Sequence, residues 1–358
     1  MVVWIAAPLY CWLTDNGVNV VCITAYFGQA DINDKDEIRQ RMLTCGASRF
    51  IFLDLRKQLA LEGIEVIKAL AFHDGRYWNT TGIARHVLVK GILEEMSKYG
   101  LAILTHGCTG RGNDQVRFQL ISNLLDPHIK IYAPWRDREF LTKFGGRREM
   151  IEFCHEKGLP IKASEHVIYS TDANLLGLTH EAGELESLST PVNFVKPVMG
   201  VQPRFAPNES EIVSITFEEE NPVAINGDQV DGQQAIEQSN IIAGGHGVGL
   251  NLHLVENRVV GIKSRGVYEA PSMELLGQAY EYLLQLILDA SSLEVFTFLS
   301  RFLSKQIYGG KWYDISSEMV RRGISLVTKL ATGTVTVGLY KGKISYFASE
   351  AKYSLGRT

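Results

Sequence analysis

Hydrophobic positions in the first half of the chain follow two alternating patterns. Short apolar runs at 19–25, 49–54, 101–105 and 129–133 are bounded by turn residues and predict buried strands. Between them, the spacing predicts helices at 35–44, closed by Gly46, and at 83–99, closed by Gly100; the run 114–125 carries a third. Strands that alternate with helices imply a parallel sheet with ligand loops at the carboxyl ends of its strands. Near residue 155 the pattern changes. Pro160, Pro191, Pro197, Pro203 and Pro207 punctuate a loop-rich passage. Strand-like runs at 212–217 and 222–225 then meet at an Asn226-Gly227 turn, a helical block covers 273–308, and 334–340 with 344–347 make a hairpin around Lys341-Gly-Lys343. In the helical block, the spacing of Leu276, Tyr280, Leu283 and Ile287 reads as core or subunit packing. The expected organisation is therefore an α/β domain at 1–155 followed by an α+β domain at 156–358.

The length of 358 residues fits two domains, and 46% hydrophobic residues can build large cores. A net charge of -4, with no basic block, does not point to nucleic acid. The five cysteines, Cys11, Cys22, Cys45, Cys108 and Cys154, are scattered without a CxxC, as in reduced thiols of a cytoplasmic protein. The apolar opening at 1–13 has no preceding Lys or Arg and falls short of the about 20 residues that span a bilayer. It reads as the shortened start of a globular domain, and no membrane association is expected.

The chemistry concentrates at Thr105-His-Gly-Cys-Thr-Gly-Arg-Gly-Asn-Asp-Gln-Val-Arg-Phe118. A strand ends, Gly107, Gly110 and Gly112 turn the chain, and a helix begins. Glycines permit close approach and positive φ, and a helix start offers free N–H groups to anions. Asn113, Asp114 and Arg117 add an amide, a carboxylate and a guanidinium, a set suited to a zwitterion beside a phosphate. Cys108 lies in the loop with no base assigned to it, so it reads as a bystander. Three further clusters are weaker. The segment 255–271 reads as a charged hairpin or a site, 169–175 with 179–183 as a helix-capping loop, and Gly75-Arg-Tyr-Trp78 as an aromatic-basic patch. His106 and His246 have no partners at metal-ligand spacing.

Taken in order, these segments resemble the argininosuccinate synthase family. The resemblance rests on His106-Gly-Cys-Thr-Gly-Arg-Gly-Asn-Asp-Gln-Val-Arg-Phe118, Ile131-Tyr-Ala-Pro-Trp-Arg136, Tyr169-Ser-Thr-Asp-Ala-Asn-Leu175, Val255-Glu-Asn-Arg258, Lys263-Ser-Arg-Gly-Val-Tyr-Glu-Ala-Pro271 and Lys341-Gly-Lys343. It implies a Rossmann-like nucleotide-binding domain followed by a synthetase domain. It also implies an ATP-dependent ligase that joins citrulline and aspartate through citrullyl-AMP, with Mg²⁺ accompanying ATP, and a cytoplasmic homotetramer. Carried over by motif, Ala25 and Gly107 would line the nucleotide site. Thr109, Asn113 and Asp114 would hold aspartate, and Asn113, Arg117, Tyr77, Ser170, Thr179, Glu256 and Tyr268 would hold citrulline. No residue is implied as general base.

The chain also departs from the family pattern. The family opens with a strand and a phosphate loop, Ser-Gly-Gly-Leu-Asp-Thr-Ser. An ungapped register lays residues 1–7 across that loop with valines for its glycines; if 1–5 is instead the strand, the loop is deleted. A serine of the family is Gly82 here, its Gly-Val-Gly-Arg reads Gly247-Val-Gly-Leu250, and its C-terminal tail has no counterpart after Leu355. The expectation is weak synthetase activity. The alternatives are a homologue that binds citrulline-like or aspartate-like ligands or a partner subunit, and a gene model shortened at its start.

Overall fold

A computed structural model describes residues 3–29, 32, 34–74, 76–110, 112–159, 168–259, 261 and 263–356. The first half contains α1 (Val3–Asp15), β1 (Val21–Tyr26), α2 (Lys35–Thr44), β2 (Arg49–Asp54), α3 (Arg56–Lys68), α4 (Thr80–Lys98), β3 (Ile103–Thr105), α5 (Asn113–Leu125), β4 (Lys130–Tyr132), α6 (Arg138–Lys143) and α7 (Arg147–Glu156). The strands pair in parallel, β1 with β2 and β3 with β4, as the alternating pattern predicts. They form two separate two-stranded sheets rather than one continuous sheet.

Local signals account for several boundaries. The Asp34 carboxylate accepts from the N–H groups of Asp36 and Glu37 and starts α2. The Asn16 side chain donates to the Trp12 carbonyl, and Gly17, at φ +76°, turns the chain out of α1. The alternative of a strand at 1–5 does not fit residues 3–5. Helix α1 already covers residues 3–5, and Met1 and Val2 lie outside the described residues. Leu9, Trp12 and Leu13 pack this helix into a satellite core with Met42, Phe140, Phe144 and Phe153.

The second half contains β5 (Ser170–Asn174), β6 (Gly177–Glu181), β7 (Glu211–Glu218), β8 (Asn221–Ile225), β9 (Asp228–Gln229), α8 (Gly232–Gly245), β10 (Leu252–Asn257), β11 (Lys263–Glu269), α9 (Pro271–Ile287), α10 (Ala290–Tyr308), α11 (Ile315–Thr328), β12 (Gly333–Tyr340) and β13 (Lys343–Ala351). One antiparallel sheet runs β10-β11-β6-β5 and a second runs β13-β12-β7-β8-β9. The segment 169–175, expected as a capping loop, is a strand. Its polar Ser-Thr-Asp-Ala-Asn run mimics a cap, but pairing of Ser170 with Glu181 and Asp172 with Thr179 builds a hairpin on β11. The helical block divides into two helices because Leu288 is extended and Asp289 caps the next one. Among the described residues no helix is long and apolar enough to cross a membrane.

Helix α9 is central to the main core. Leu276, Ala279, Tyr280 and Leu283 face Val213, Ile215 and Phe217 of β7 and Val335 and Val337 of β12, all fully buried. Gly277 sits on this helix against Trp78, whose Nε1 donates to Glu274 Oε2 at 2.9 Å. A Cβ at Gly277 would overlap the Trp78 ring. Gly277→Ala is therefore expected to destabilise by about 1–3 kcal/mol through overpacking, despite alanine's better helix propensity. Urea midpoints measure this; an unchanged or higher midpoint would refute it.

Candidate functional site

The glycine loop lies where expected, between the end of β3 and the start of α5. Its glycines act differently from expectation. Gly107, Gly110 and Gly112 are not among the residues with positive φ, and Gly112 is extended at φ -89°. Gly110 is needed instead for close approach, since a Cβ there would lie 2.7 Å from the Trp135 carbonyl oxygen. No side chain caps α5, so its first N–H groups face the loop uncapped, with Asp114 in the first turn.

Beside this loop is a cavity of about 290 Å³. Tyr77, Thr109, Asn113, Asp114, Arg117, Ser170, Thr179, Glu256, Tyr268 and Gly107 all line it. They reach it from the segment before α4, from the loop and α5, and from β5, β6, β10 and β11. Ala25 does not. It lines a separate, mostly apolar space of about 110 Å³ between β1, β3 and α4, and Arg85 borders both spaces. The backbone before α4 is bent to deliver Tyr77. Arg76 (φ 77°) and Asn79 (φ 54°) are left-handed, and Asn79 holds the turn by donating to the Ala71 carbonyl at 3.0 Å. Gly75 lies outside the described residues.

The cavity is dominated by charge. Asp114 accepts from Arg85 Nε at 2.8 Å and from Arg117 Nη1 at 2.9 Å, and Arg85 also pairs with Asp172. Burial alone would raise the Asp114 carboxyl, but the two guanidiniums together hold it well below the usual carboxylate range. Arg117 is further committed: its Nε donates to the Tyr308 carbonyl at 2.9 Å, and its guanidinium lies 4.9 Å from the Tyr308 ring centre. Arg258 also lines the cavity, and its side chain makes no hydrogen bond or ion pair among the described residues.

A second wall is aromatic. The Tyr77 and Tyr268 rings are 4.2 Å apart, and Tyr308 completes a buried trio. The Tyr308 ring is held between Arg117 on one side and the stacked His73 ring, 3.7 Å away. Its hydroxyl accepts from Asn113 Nδ2 at 2.8 Å, while Asn113 Oδ1 accepts from the Val259 N–H at 2.8 Å. The Asn113 amide is thus partly spent within the protein. Burial raises the Glu256 carboxyl against opposing hydrogen bonds from Tyr308 and Tyr268, and its Oε2 has no hydrogen-bond partner among the described residues. A buried carboxylate edge beside tyrosine hydroxyls suits a planar ligand rich in N–H groups.

Cys108 borders the cavity, but burial pushes its thiol up to about 12, so it is not a thiolate nucleophile at neutral pH. His106 stacks on Phe118 and is pushed down to about 4 by burial; its Nδ1 accepts from the Cys108 N–H at 3.3 Å. His246 is remote and pairs with Glu211. No metal-binding group of three or more His, Cys, Asp or Glu occurs among the described residues.

Sequence reasoning missed Arg85, Asp172, Glu181, Arg258 and Tyr308. Arg85 carried one signal, a cation beside the apolar positions Ala84, Leu88 and Val89 of α4, buried here at 9% exposure.

A family model described as "Arginosuccinate synthase N-terminal HUP domain" matches residues 7–160. One described as "Arginosuccinate synthase C-terminal domain" matches residues 169–357. The chain is 39% identical over 346 residues to a protein of Rhodopirellula baltica named argininosuccinate synthase, covering 96% of this chain and 85% of the relative. A protein of the same name from Thermotoga sp. (strain RQ2) is 37% identical over 350 residues, with the same coverage.

Proposed function

Because the chain belongs to the argininosuccinate synthase family, we propose that the cavity beside the glycine loop is where citrulline and aspartate are joined. The family's activity is an ATP-dependent ligation in arginine biosynthesis. The citrulline ureido oxygen attacks the α-phosphate of ATP, giving citrullyl-AMP and pyrophosphate, and the aspartate amine then displaces AMP. Such chemistry rests on positioning and on stabilising charge.

The observation that carries the proposal is the convergence of nine separated residues on one cavity. In this reading Tyr77, Glu256 and Tyr268 receive the ureido end of citrulline, with Ser170 and Thr179 beside them. Thr179 Oγ1 is held 3.2 Å from Thr81 Oγ1. Thr109, Asn113 and Asp114 receive aspartate. Arg117, carried over as a citrulline contact, is already paired with Asp114, which makes Arg258 the better anchor for a ligand carboxylate. Gly107 and Ala25 face the nucleotide from the two spaces that Arg85 separates. Mg²⁺ would enter bound to the nucleotide phosphates, because the described residues supply no carboxylate cage.

A cytoplasmic setting agrees with five free cysteines. A homo-oligomer agrees with the exposed apolar residues Val295 and Phe298 of α10 and Ile315, Met319 and Leu326 of α11.

Two measurements test the function. Calorimetry should show citrulline binding to the chain. Pyrophosphate release from ATP should require citrulline, and argininosuccinate should appear only when aspartate is added. Citrulline binding with slow turnover would assign the deficit to the nucleotide half of the reaction. Neither heat nor pyrophosphate would overturn the reading.

A further inference from the structure

The ligation needs a group that the sequence did not identify. Aspartate arrives with an α-ammonium, and only the neutral amine can attack carbon. Four carboxylates line the cavity: Asp114, Asp172, Glu181 and Glu256. Asp114 is held between Arg85 and Arg117, and Asp172 is paired with Arg85. Both are therefore poor proton acceptors. Glu256 faces the tyrosine hydroxyls of the ureido wall.

Glu181 differs from all three. It ends β6, opposite Ser170 on one side and Gly266 on the other, so no bulky cross-strand neighbour covers it. Its side chain makes no hydrogen bond or ion pair among the described residues. We propose that Glu181 is the general base that deprotonates the aspartate amine, a role that rests on the ligase reading above. One ammonium proton passes to the Glu181 carboxylate, and the freed lone pair forms the C–N bond to the ureido carbon. The bond from that carbon to the adenylate oxygen breaks with its electron pair on AMP, and the second proton of the attacking nitrogen stays on the product as part of its guanidinium.

The surroundings favour this role. Burial raises the Glu181 carboxyl above its ordinary value, and Asp114, Asp172 and Glu256 add to the rise; Arg258 opposes it. A base raised toward neutrality is better matched to an ammonium proton.

The test separates the two half-reactions. Citrulline-dependent exchange of labelled pyrophosphate into ATP reports the first and needs no aspartate. In Glu181→Gln this exchange should persist, which also shows that the variant is folded. Argininosuccinate formation should fall by about 10²-fold or more. In the parent chain the aspartate-dependent rate should rise with pH through the Glu181 titration, and the variant should lose that limb. Glu181→Asp, which keeps a carboxylate, should recover part of the rate. If exchange persists and Glu181→Gln forms argininosuccinate at the parent rate, the base assignment fails alone. If the parent chain shows no exchange, the ligase reading fails instead.

Discussion

Asp114→Asn is expected to destabilise the protein by about 3 kcal/mol and to abolish substrate binding in the cavity. The substitution keeps the shape and removes the charge. It strands Arg117, whose side chain is 5% exposed, and leaves Arg85, 10% exposed, with Asp172 alone. Removing one partner of a buried ion pair costs far more than the pair itself contributes, because the remaining charge stays desolvated. Arg117, whose charge already acts on Glu256, would then turn toward that carboxylate and close the space intended for ligand. Urea denaturation of the single variant, and of the double variant with Arg85→Met, measures the coupling. A variant as stable as the parent that still binds citrulline would refute this account. The pH dependence has a definite sign. The Asp114 carboxyl is depressed in the folded state, so its contribution is complete above the ordinary carboxylate range and is lost only on acidification below it.

A second large effect is expected at milder acidity. Lowering the pH from 7 to 5 should cost about 4 kcal/mol of stability, roughly 2 from each of two buried histidines. Burial pushes His86 down to about 3 and His106 down to about 4. In the unfolded chain both take up protons near their model value of 6.5. Their stabilisation is therefore full above that value and is lost as the pH falls toward the folded values. The geometry explains why the folded protein resists protonation. His86 Nδ1 donates to the Gly82 carbonyl at 2.8 Å, and its Nε2 accepts from the Trp312 N–H at 3.1 Å. A second proton would set two N–H groups against each other. His106 has the same conflict at Nδ1, which accepts from the Cys108 N–H. Equilibrium unfolding at pH 7, 6 and 5 measures the slope. His86→Gln, whose amide does not titrate, should halve it. A flat profile over this range, or an unchanged slope in the variant, would rule out the histidines as the cause.

Local signals were enough wherever the deciding interactions are close in sequence. Helix α2 runs Lys35–Thr44 and strand β2 runs Arg49–Asp54, the spans the pattern predicts, because Asp34 caps the helix from two residues away and β2 is a continuous apolar run between turns. The glycine loop and the helix after it were legible for the same reason. Its glycine chemistry was only half legible, since the approach of Gly110 to the Trp135 carbonyl is a contact between separate segments.

The motifs also identified residues, from Tyr77 to Tyr268, that meet in one cavity, but not which of their charges remain free. That was decided by contacts across the fold. Arg85 comes from the middle of a helix, Asp172 from a hairpin that looks like a capping loop, and Tyr308 from the end of α10. Each is an ordinary helix or strand residue in its local context. Only tertiary packing brings Asp114 within reach of Arg85, adds the Tyr308 carbonyl to the local pair that Arg117 makes with Asp114, and leaves the side chains of Glu181 and Arg258 without ion-pair partners among the described residues. The sequence by itself determined the elements and the kinds of groups, because propensity, caps and periodicity act within a few residues. The tertiary structure decided the protonation and availability of those groups, because desolvation and charge pairing depend on neighbours distant in the chain.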